Sequence, residues 1–255
     1  MTLLSIENLS VLRGQCPVVD RVSLSVHSGE LIGLIGPNGA GKTTLMRAAL
    51  GLVAHSGQSS LTQIPAAERA KQAAWIPQMR EIAWGLSVRD VVGLGRSPYG
   101  PVRRDDPKTQ AALDQLGLSS FADRTAIHLS GGEQARVLIA RALAQDTPII
   151  MADEPTASLD PASQLTTLQI FADLAAQGHG IIASLHDLGL AARYCHKLAL
   201  LHRGQLVAFG PPASVLTPEN LRDVFMIDAH FEHIDQGVTF QPLNVVTPNA
   251  EKGAP

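Results

Sequence analysis

A glycine-rich segment between a short apolar run and a helical stretch constrains this chain more than any other feature. It begins at Gly36, ends with Gly41, Lys42 and Thr43, and follows the pattern G-x-x-x-x-G-K-[ST]. Backbone N–H groups can converge on a phosphate chain only where glycines let the backbone turn tightly and approach closely. The helix that follows adds its positive N-terminal end. The segment therefore predicts a phosphate-binding loop, in which Lys42 reaches the β- and γ-phosphates of a nucleotide and the Thr43 hydroxyl binds Mg²⁺.

The residues expected to contact the nucleotide in this loop are consecutive. They are Gly36, Pro37, Asn38, Gly39, Ala40, Gly41, Lys42, Thr43 and Thr44. The alternative is a glycine-rich turn that contains Lys-Thr by chance. The loop also has the context that phosphate binding requires, because the apolar run Leu31–Ile35 precedes it and a helical segment follows it. By itself, the loop leaves kinases, GTPases and ATPases open.

The hydrophobic pattern predicts an α/β fold built on a parallel sheet. The runs Leu31–Ile35, Ile149–Met151 and Gly180–Leu185 have the length and continuity of strands that are buried on both faces. Between the last two lies a helix that begins after Asp160 and ends near Gln177. Alternation of strands and helices is typical of parallel α/β sheets. Together with the phosphate loop between its first buried strand and the helix that follows, this favours the P-loop NTPase fold class.

The pattern also divides the chain into a core, an inserted segment and an extension. Alternation of Val22, Leu24 and Val26 with serines predicts an antiparallel β subdomain near the N-terminus. Residues 79–145 show helical patterns alone, which predicts a helical subdomain inserted between core segments 1–78 and 146–225. Residues 226–255 contain several prolines and polar residues and are expected to form a loosely ordered C-terminal extension.

Two acidic residues follow the strand predicted at Ile149–Met151. Ligands of open α/β sheets bind at the carboxyl ends of the strands, so Asp153 and Glu154 are expected beside the phosphate loop. There Asp153 would hold Mg²⁺, directly or through water, and Glu154 would polarise the attacking water. The alternative is a solvated acidic turn that caps the next helix. The presence of the phosphate loop favours the catalytic interpretation.

Composition and charge exclude other classes. A net charge of −3 and an aromatic content of 4% give neither the basic surface nor the stacking residues typical of nucleic-acid binding. The apolar runs are far shorter than the roughly 18 residues needed to cross a bilayer. The first residues lack the basic start and apolar run of a signal peptide. Cys16 and Cys195 are expected to be buried thiols in a reducing compartment. These features predict a cytosolic or peripheral protein.

Short motifs from Gly36 to His186 resemble those of ABC-type ATPases, in the order found in that family. Besides the phosphate loop and the Asp-Glu pair, they are the glutamine loop at Gln78, the signature motif Leu129-Ser-Gly-Gly-Glu133, the D-loop Ser158-Leu159-Asp160 and the switch histidine His186. The similarity continues to about Phe225. It implies an ABC-type ATPase that uses ATP and Mg²⁺.

The resemblance further implies a homodimer. In this family the signature helix of one subunit contacts the γ-phosphate held by the other, so that two ATP molecules are sandwiched head to tail. Carried over to this chain, Ser130, Gly131 and Gly132 would bind the partner's nucleotide. The resemblance implies that Asp160 of the D-loop also contacts the nucleotide. His186 and Gln78 would assist Glu154 in catalysis, and Gln78 would also contact Mg²⁺.

Simpler structural interpretations exist for two of these motifs. Ser130 and Glu133 form a capping-box pattern that starts a helix. Two glycines in the first turn lower helix propensity, however, and close approach of a phosphate explains them better than a cap alone. A lone histidine at the end of a strand is usually structural, but His186 would emerge beside the phosphates. The other eight histidines, including His230 and His233, are expected at the surface rather than in a metal site.

This sequence departs from the family pattern at two positions. The family commonly has an aromatic residue that stacks on adenine just before the glycine that corresponds to Gly14, and here that position is Arg13. Since a guanidinium plane can also stack on a base, we expect Arg13 to take this role. The fifth residue of the signature motif is Glu133 instead of the usual glutamine. We expect this change to leave catalysis intact.

The segment Leu86–Tyr99 resembles the helical subdomain of importers for iron–siderophore complexes, haem and cobalamin. This resemblance implies a peripheral subunit at the cytoplasmic face of the cell (inner) membrane. Its helical subdomain would receive the coupling helix of integral-membrane permease subunits, which a substrate-binding protein serves in turn. The transported molecule never touches such a chain, so importers of a metal ion or an oxyanion stay open as alternatives.

Two further classes are weighed against the importer. A non-transport ABC protein of DNA repair or translation would carry long coiled-coil insertions or a second ATPase module, and neither pattern occurs in this sequence. A P-loop kinase would need an acceptor site and would have no use for Ser130–Gly132 or His186.

Overall fold

Two sheets, a hairpin and the helices between them make up residues 1–78, 85–234 and 237–246, which the computed structural model describes. The β-strands are β1 (Thr2–Arg13), β2 (Cys16–His27), β3 (Leu31–Ile35), β4 (Ser56–Ser59), β5 (Ala73–Ile76), β6 (Ile149–Ala152), β7 (Gly180–Ser184), β8 (Lys197–His202), β9 (Gln205–Gly210), β10 (Ile227–Ile234) and β11 (Gly237–Val245). The α-helices are α1 (Lys42–Ala49), α2 (Ala66–Arg69), α3 (Val88–Gly93), α4 (Pro107–Gln115), α5 (Gly131–Ala144), α6 (Pro161–Ala176), α7 (Leu188–Tyr194), α8 (Pro212–Val215) and α9 (Pro218–Phe225).

The larger sheet has the strand order β5-β6-β7-β3-β8-β9. Pairing is parallel from β5 through β8, and only β9 runs antiparallel to its neighbour β8. Every residue of β3, β6 and β7 is buried, as expected for strands covered on both faces. The predicted α/β class with a parallel core is confirmed. The carboxyl ends of β3, β6 and β7 lie side by side, so the segments that follow them meet at one edge.

The smaller sheet is antiparallel, with the order β2-β1-β4, which confirms the antiparallel strands predicted near the N-terminus. Leu4, Ile6 and Leu9 of β1 are buried and pack with Leu45 of α1 and Ile32 of β3 in one apolar cluster. Helix α1 therefore lies between the two sheets.

The turn between β8 and β9 joins the two sheets at the phosphate loop. The Gly204 N–H donates to the Ala40 carbonyl oxygen at 3.1 Å, and the Gly204 carbonyl oxygen accepts from the Asp20 N–H at 2.8 Å. The Gln205 side chain also donates to Asp20, at 2.8 Å. Gly204 thus connects the phosphate loop to β2 through two backbone hydrogen bonds.

Helices dominate the segment between β5 and β6, as predicted. Helix α3 begins after Ser87, whose hydroxyl accepts from the Asp90 N–H. Helix α4 is capped by Asp106, with Pro107 at its first position. The start of the helical subdomain, predicted at residue 79, lies outside the described residues. The division of the chain into subdomains stays a prediction.

The C-terminal segment differs from the expectation of a loosely ordered extension. Strands β10 and β11 form an antiparallel hairpin, with Ile227 opposite Val245. Phe231 and Phe240 pack against the main core cluster. Pro242 lies next to a register shift, and an edge strand tolerates a proline there. Pro242 therefore does not prevent strand pairing. Residues 247–255 of the predicted extension lie outside the described residues.

The two cysteines differ from each other. Cys195 is buried as expected, and burial raises its pKa to about 12. Cys16, in contrast, is exposed at the start of β2, so the expectation of burial is wrong for this residue. Its neighbours in the β1–β2 turn place it on the surface.

Within the described ranges, no helix has the length and apolar character needed to span a bilayer.

Candidate functional site

The phosphate loop connects the end of β3 to the start of α1, and its backbone excludes side chains at two glycines. Gly36 has φ 143°, and a Cβ at this residue would sit 2.1 Å from the carbonyl oxygen of Leu201. Gly41 has φ 102° and occupies the N-cap position of α1, where a Cβ would sit 2.6 Å from the Val18 carbonyl oxygen. The loop is thus folded tightly between β8 and β2, as close approach of backbone to a phosphate requires.

Lys42 places a cation inside this loop. The residue is 6% exposed, and its Nζ donates to the carbonyl oxygens of Gly36 at 2.7 Å and Pro37 at 3.2 Å. Burial lowers the pKa of Lys42, while the nearby carboxylates of Glu154 and Asp153 act in the opposite direction. The buried ammonium and the positive end of α1 together make the loop suited to an anion.

Asp153 lies at the end of β6 beside the loop. It is 1% exposed, and its Oδ1 accepts from the Thr43 hydroxyl at 3.0 Å and from the Ser184 hydroxyl at 2.8 Å. The Ser184 hydroxyl in turn accepts from the Glu154 N–H at 2.7 Å. Sequence reasoning did not single out Ser184. The available signal was a polar residue within an otherwise apolar buried strand.

The donor set at Thr43 and Asp153 fits Mg²⁺. This ion prefers oxygen ligands and is usually bound through one or two side chains together with substrate phosphates and water. A hydroxyl and a carboxylate 3.0 Å apart, at the mouth of a phosphate loop, offer such a pair. Gln78 lies further along the same edge, in contact with Glu154.

Glu154 follows β6 and contacts side chains that follow two other strands, β5 and β7. Gln78, after β5, donates from Nε2 to Glu154 Oε2 at 2.6 Å. His186, after β7, pairs through Nε2 with Glu154 Oε1 at 2.7 Å. Glu154 itself has φ 48°, a left-handed conformation that is uncommon for a residue with a side chain and is concentrated at functional sites. The three residues predicted to be catalytic therefore lie in direct contact.

The signature motif forms the start of α5. The Ser130 hydroxyl accepts from the Glu133 N–H at 3.4 Å, and Glu133 Oε2 accepts from the Ser130 N–H at 2.8 Å. The Ser130 hydroxyl also donates to Glu133 Oε2 at 2.8 Å. These bonds from Ser130 hold the pKa of Glu133 below its ordinary value. The capping box predicted from the sequence is confirmed.

Both glycines of this motif lie against the D-loop and α6. A Cβ at Gly131 would be 3.7 Å from Leu159 Cδ2, whereas one at Gly132 would be 2.4 Å from Ser163 Oγ. Ser163 donates to both carboxylate oxygens of Asp160, from N–H at 3.1 Å and from Oγ at 2.6 Å. The sequence predicts close approach of a phosphate as the reason for both glycines. Packing against α6 is a second, structural reason for Gly132 that the sequence does not reveal.

Arg13 is exposed at the end of β1, where it pairs with Cys16 across the turn. Two residues after Cys16 comes Val18, whose carbonyl oxygen contacts the phosphate loop at Gly41. The start of β2 thus lies beside the loop, next to the turn that contains Gly204. This position is compatible with the predicted contact to a base. His230, in contrast, is a surface residue of β10 that pairs with Glu232 at 3.3 Å, and the side chain of His233 lies outside the described part.

Comparisons with known proteins agree with this geometry. The family model described as ABC transporter matches residues 19–157. The hemin import ATP-binding protein HmuV of Pseudomonas fluorescens is 42% identical over 238 residues, which cover 89% of this chain and 93% of that protein. The cobalamin import ATP-binding protein BtuD of Halobacterium salinarum is 39% identical over 232 residues, covering 87% of this chain and 58% of that protein.

The fold has similar relatives among solved structures. One is described as a metal-chelate type ABC transporter in an inward-facing conformation. It superposes with a TM-score of 0.83 at 28% sequence identity, covering 96% of this chain and 98% of the other. A nucleotide-free ATP-binding cassette of an ABC transporter superposes with a TM-score of 0.75 at 26% identity, covering 88% and 95%.

Proposed function

Since this chain belongs to the ABC transporter family, we propose that it is the ATP-hydrolysing subunit of an importer whose cargo is haem, cobalamin or an iron–siderophore complex. ATP binding follows from the family. The observation that carries the assignment of the catalytic residues is the contact of Gln78 and His186 with Glu154, beside a loop that surrounds a buried lysine.

In the proposed reaction, the loop Gly36–Thr43 binds the triphosphate and Lys42 neutralises its terminal charge. Mg²⁺, held at Thr43 and Asp153, would supply charge stabilisation on the phosphates. Glu154 accepts a hydrogen bond from the attacking water and orients it towards the γ-phosphate. Gln78 and His186 hold the Glu154 carboxylate in place, and His186 would also donate to a phosphate oxygen.

The subunit is further proposed to act as a homodimer. Ser130 is exposed at the start of the 14-residue helix α5, whose N-terminal end is positive and suits a phosphate. Ser130 forms hydrogen bonds with Glu133 at the start of α5, and Asp160 forms them with Ser163 at the start of α6. In the described ranges, no hydrogen bond connects Ser130 or Asp160 to the phosphate loop. A second copy that presents these residues to the nucleotide would complete both sites.

A groove between the core and the helical segment supports a permease partner. Leu52 and Trp75 line it from the core, and Leu94 lines it from the helical side. Leu52 is 60% exposed and Leu94 46%, so an apolar partner would gain contacts with both. We assign this groove to a helix of an integral-membrane permease, with the chain on the cytoplasmic face of the inner membrane. A substrate-binding protein would deliver cargo to the other face.

The cargo assignment comes from the relatives alone. HmuV is named for hemin and BtuD for cobalamin, and the superposed transporter is described as of metal-chelate type. An importer of a metal ion or an oxyanion is the competing candidate, because the same subunit architecture can drive different permeases.

Hydrolysis by the purified protein tests the catalytic assignment. We expect ATP turnover without any acceptor, with a rate that rises faster than linearly with protein concentration because two copies form the site. Glu154→Gln should lower kcat by roughly 100-fold or more while ATP binding persists and dimers accumulate. Glu68→Gln, at an exposed residue paired with Lys71, is the matched control and should keep wild-type turnover. Near-wild-type turnover of Glu154→Gln would contradict the role given to this carboxylate.

Transport by the assembled complex tests the cargo. The chain is purified with the membrane protein that it binds and reconstituted into vesicles with ATP on its side of the membrane. Haem, cobalamin, a ferric siderophore and molybdate are then offered separately. We expect ATP-dependent uptake of one of the first three. Uptake of molybdate alone would support the oxyanion alternative instead.

A further inference from the structure

Helix α7 connects the predicted switch histidine to the C-terminal hairpin. It has only seven residues, Leu188–Tyr194, and begins two residues after His186. Leu188, Ala191 and Ala192 on one side of the helix are buried in the main core. A helix of two turns is unstable alone, so its position depends on what packs against it.

The other side of α7 contacts β11. Phe240 Cβ lies 3.6 Å, and its carbonyl oxygen 3.9 Å, from the point that a Cβ on Gly189 would occupy. Asp187 Oδ1 lies 3.2 Å from the same point and accepts from the Leu190 N–H at 2.8 Å, which caps the helix. The first turn of α7 is therefore enclosed by the core, by its own cap and by Phe240.

The hairpin is itself anchored to the body of the protein. The Val246 N–H donates to the Met226 carbonyl oxygen at 2.7 Å, which closes the base of the hairpin. Asp228 of β10 pairs with Arg222 of α9 at 2.6 Å. Phe231 of β10 packs with Phe240 against the main core cluster. These contacts give β11 a fixed position from which to support α7.

In the described ranges, the His186 ring has no polar partner besides Glu154. Its side chain is 44% exposed, and its pairing with Glu154 Oε1 at 2.7 Å is a contact with the catalytic carboxylate itself. The direction of the imidazole is thus set mainly by the backbone where β7 passes into α7. A shift of that first turn would move the ring relative to Glu154, and a displacement of 1 Å in a catalytic group can cost up to about 100-fold in rate.

We propose that the hairpin β10–β11 holds the first turn of α7, and thereby His186, in the position that hydrolysis requires, with Phe240 as the positioning residue. The inference rests on the catalytic role proposed for His186. It gives a function to the C-terminal segment, which lies outside the motifs from Gly36 to His186.

The first test compares substitutions on β11. Phe240→Ala removes the ring that packs against the main core cluster, to which Leu188 and Ala191 of α7 belong, and should lower kcat about tenfold while leaving the KM for ATP within about twofold. Phe240→Leu keeps the apolar contact and should restore most of the turnover. Leu243→Ala, at a residue of the same strand that is 59% exposed, is the control and should leave turnover unchanged. Wild-type kcat for Phe240→Ala would overturn the proposal.

The second test asks whether Phe240 acts through His186. Phe240→Ala is measured again in a His186→Ala background, by single-turnover hydrolysis of radiolabelled ATP, which resolves low rates. We expect no further loss, because the residue to be positioned is gone. An equal loss in both backgrounds would indicate a general destabilisation and would overturn the proposal. If His186→Ala alone keeps wild-type turnover, the catalytic role of His186 fails. If His186→Ala lowers turnover but Phe240→Ala does not, only the role proposed for the hairpin is overturned.

Discussion

Gly132 and Ser163 lie in contact across the first turns of α5 and α6. A methyl group at residue 132 would sit 2.4 Å from the Ser163 Oγ and 3.1 Å from its Cβ. The Ser163 hydroxyl donates to Asp160 Oδ2 at 2.6 Å, so it can rotate away only by giving up that bond. The signature motif and the D-loop are thus packed together within one chain.

Alanine substitutions should distinguish the two glycines of the signature motif. Gly132→Ala is expected to lower the free energy of unfolding by about 1–3 kcal/mol relative to Gly131→Ala, because only residue 132 has no room for a methyl group. Urea unfolding measures the difference. Adding Ser163→Ala to Gly132→Ala removes the 2.4 Å contact and should recover part of the loss. Equal stability of the two single variants would show that α6 does not constrain residue 132.

Ser184 should matter for turnover beyond its contribution to stability. Ser184→Ala leaves the Glu154 N–H without its acceptor and Asp153 without one donor, so we expect kcat to fall roughly tenfold or more. Ser59→Ala is the matched control, since Ser59 is also 0% exposed and donates to the Ala49 carbonyl oxygen at 2.7 Å, away from the site. Both variants should lose about 1–3 kcal/mol of unfolding free energy. Steady-state kinetics that show equal kcat values for both would contradict the prediction.

Arg13 should contribute to binding of the base and not of the phosphates. Arg13→Ala is expected to weaken ATP binding about threefold to fivefold, as the loss of a solvent-exposed stacking contact implies. Calorimetric titration with ATP and with inorganic tripolyphosphate separates the two parts, because the affinity for tripolyphosphate should be unchanged. Arg13→Tyr should bind ATP at least as well as the wild type. Arg21→Ala, at an exposed arginine of β2, serves as the control. Unchanged ATP affinity in Arg13→Ala would rule out stacking.

The pair between Glu30 and Lys197 should make stability depend on pH. Burial raises the pKa of Glu30, but the hydrogen bonds from Lys197 and the His27 N–H, with the charge of Lys197, outweigh it and lower the pKa below 4.5. A carboxyl with a lowered pKa in the folded state stabilises the protein above its unfolded pKa, and this contribution is lost as the pH falls through the folded pKa.

Lys197→Met should therefore lower the free energy of unfolding by about 1 kcal/mol at pH 7. The difference from the wild type should shrink as the pH falls below 4.5. Urea unfolding at several pH values measures it. Lys71→Met removes a more exposed pair with Glu68 and should change stability by less than about 0.5 kcal/mol at every pH. A difference that stays constant down to low pH would exclude Glu30 as its origin.

The sequence was most informative where local chemistry determines structure. The glycines around Lys42 require an unusual backbone, and the buried runs before Gly36 and Asp153 are continuous, so the loop and the parallel sheet could both be predicted. The helix starts at Ser130 and Asp160 were predicted for the same reason, since each needs only a few neighbouring residues.

Features that depend on distant contacts were missed. Strand β5 has four residues, too few for a periodic pattern, and it forms because β6 lies beside it. The prolines and polar residues of 226–255 suggested a loosely ordered extension, yet Phe240 gains a partner on α7 that no local rule reveals. Ser184 acts through residues 30 and 31 positions away in the sequence. Each of these required the tertiary structure.

The two hydrogen bonds of Gly204 have a mechanical consequence. Through them one residue clamps the phosphate loop at Ala40 to the antiparallel sheet at Asp20. Tilting that sheet against the parallel core would pull directly on the backbone of the loop. We therefore expect that a bound triphosphate restrains tilting of the antiparallel sheet relative to the parallel sheet. Any such tilting would loosen the nucleotide before it disturbed the strands.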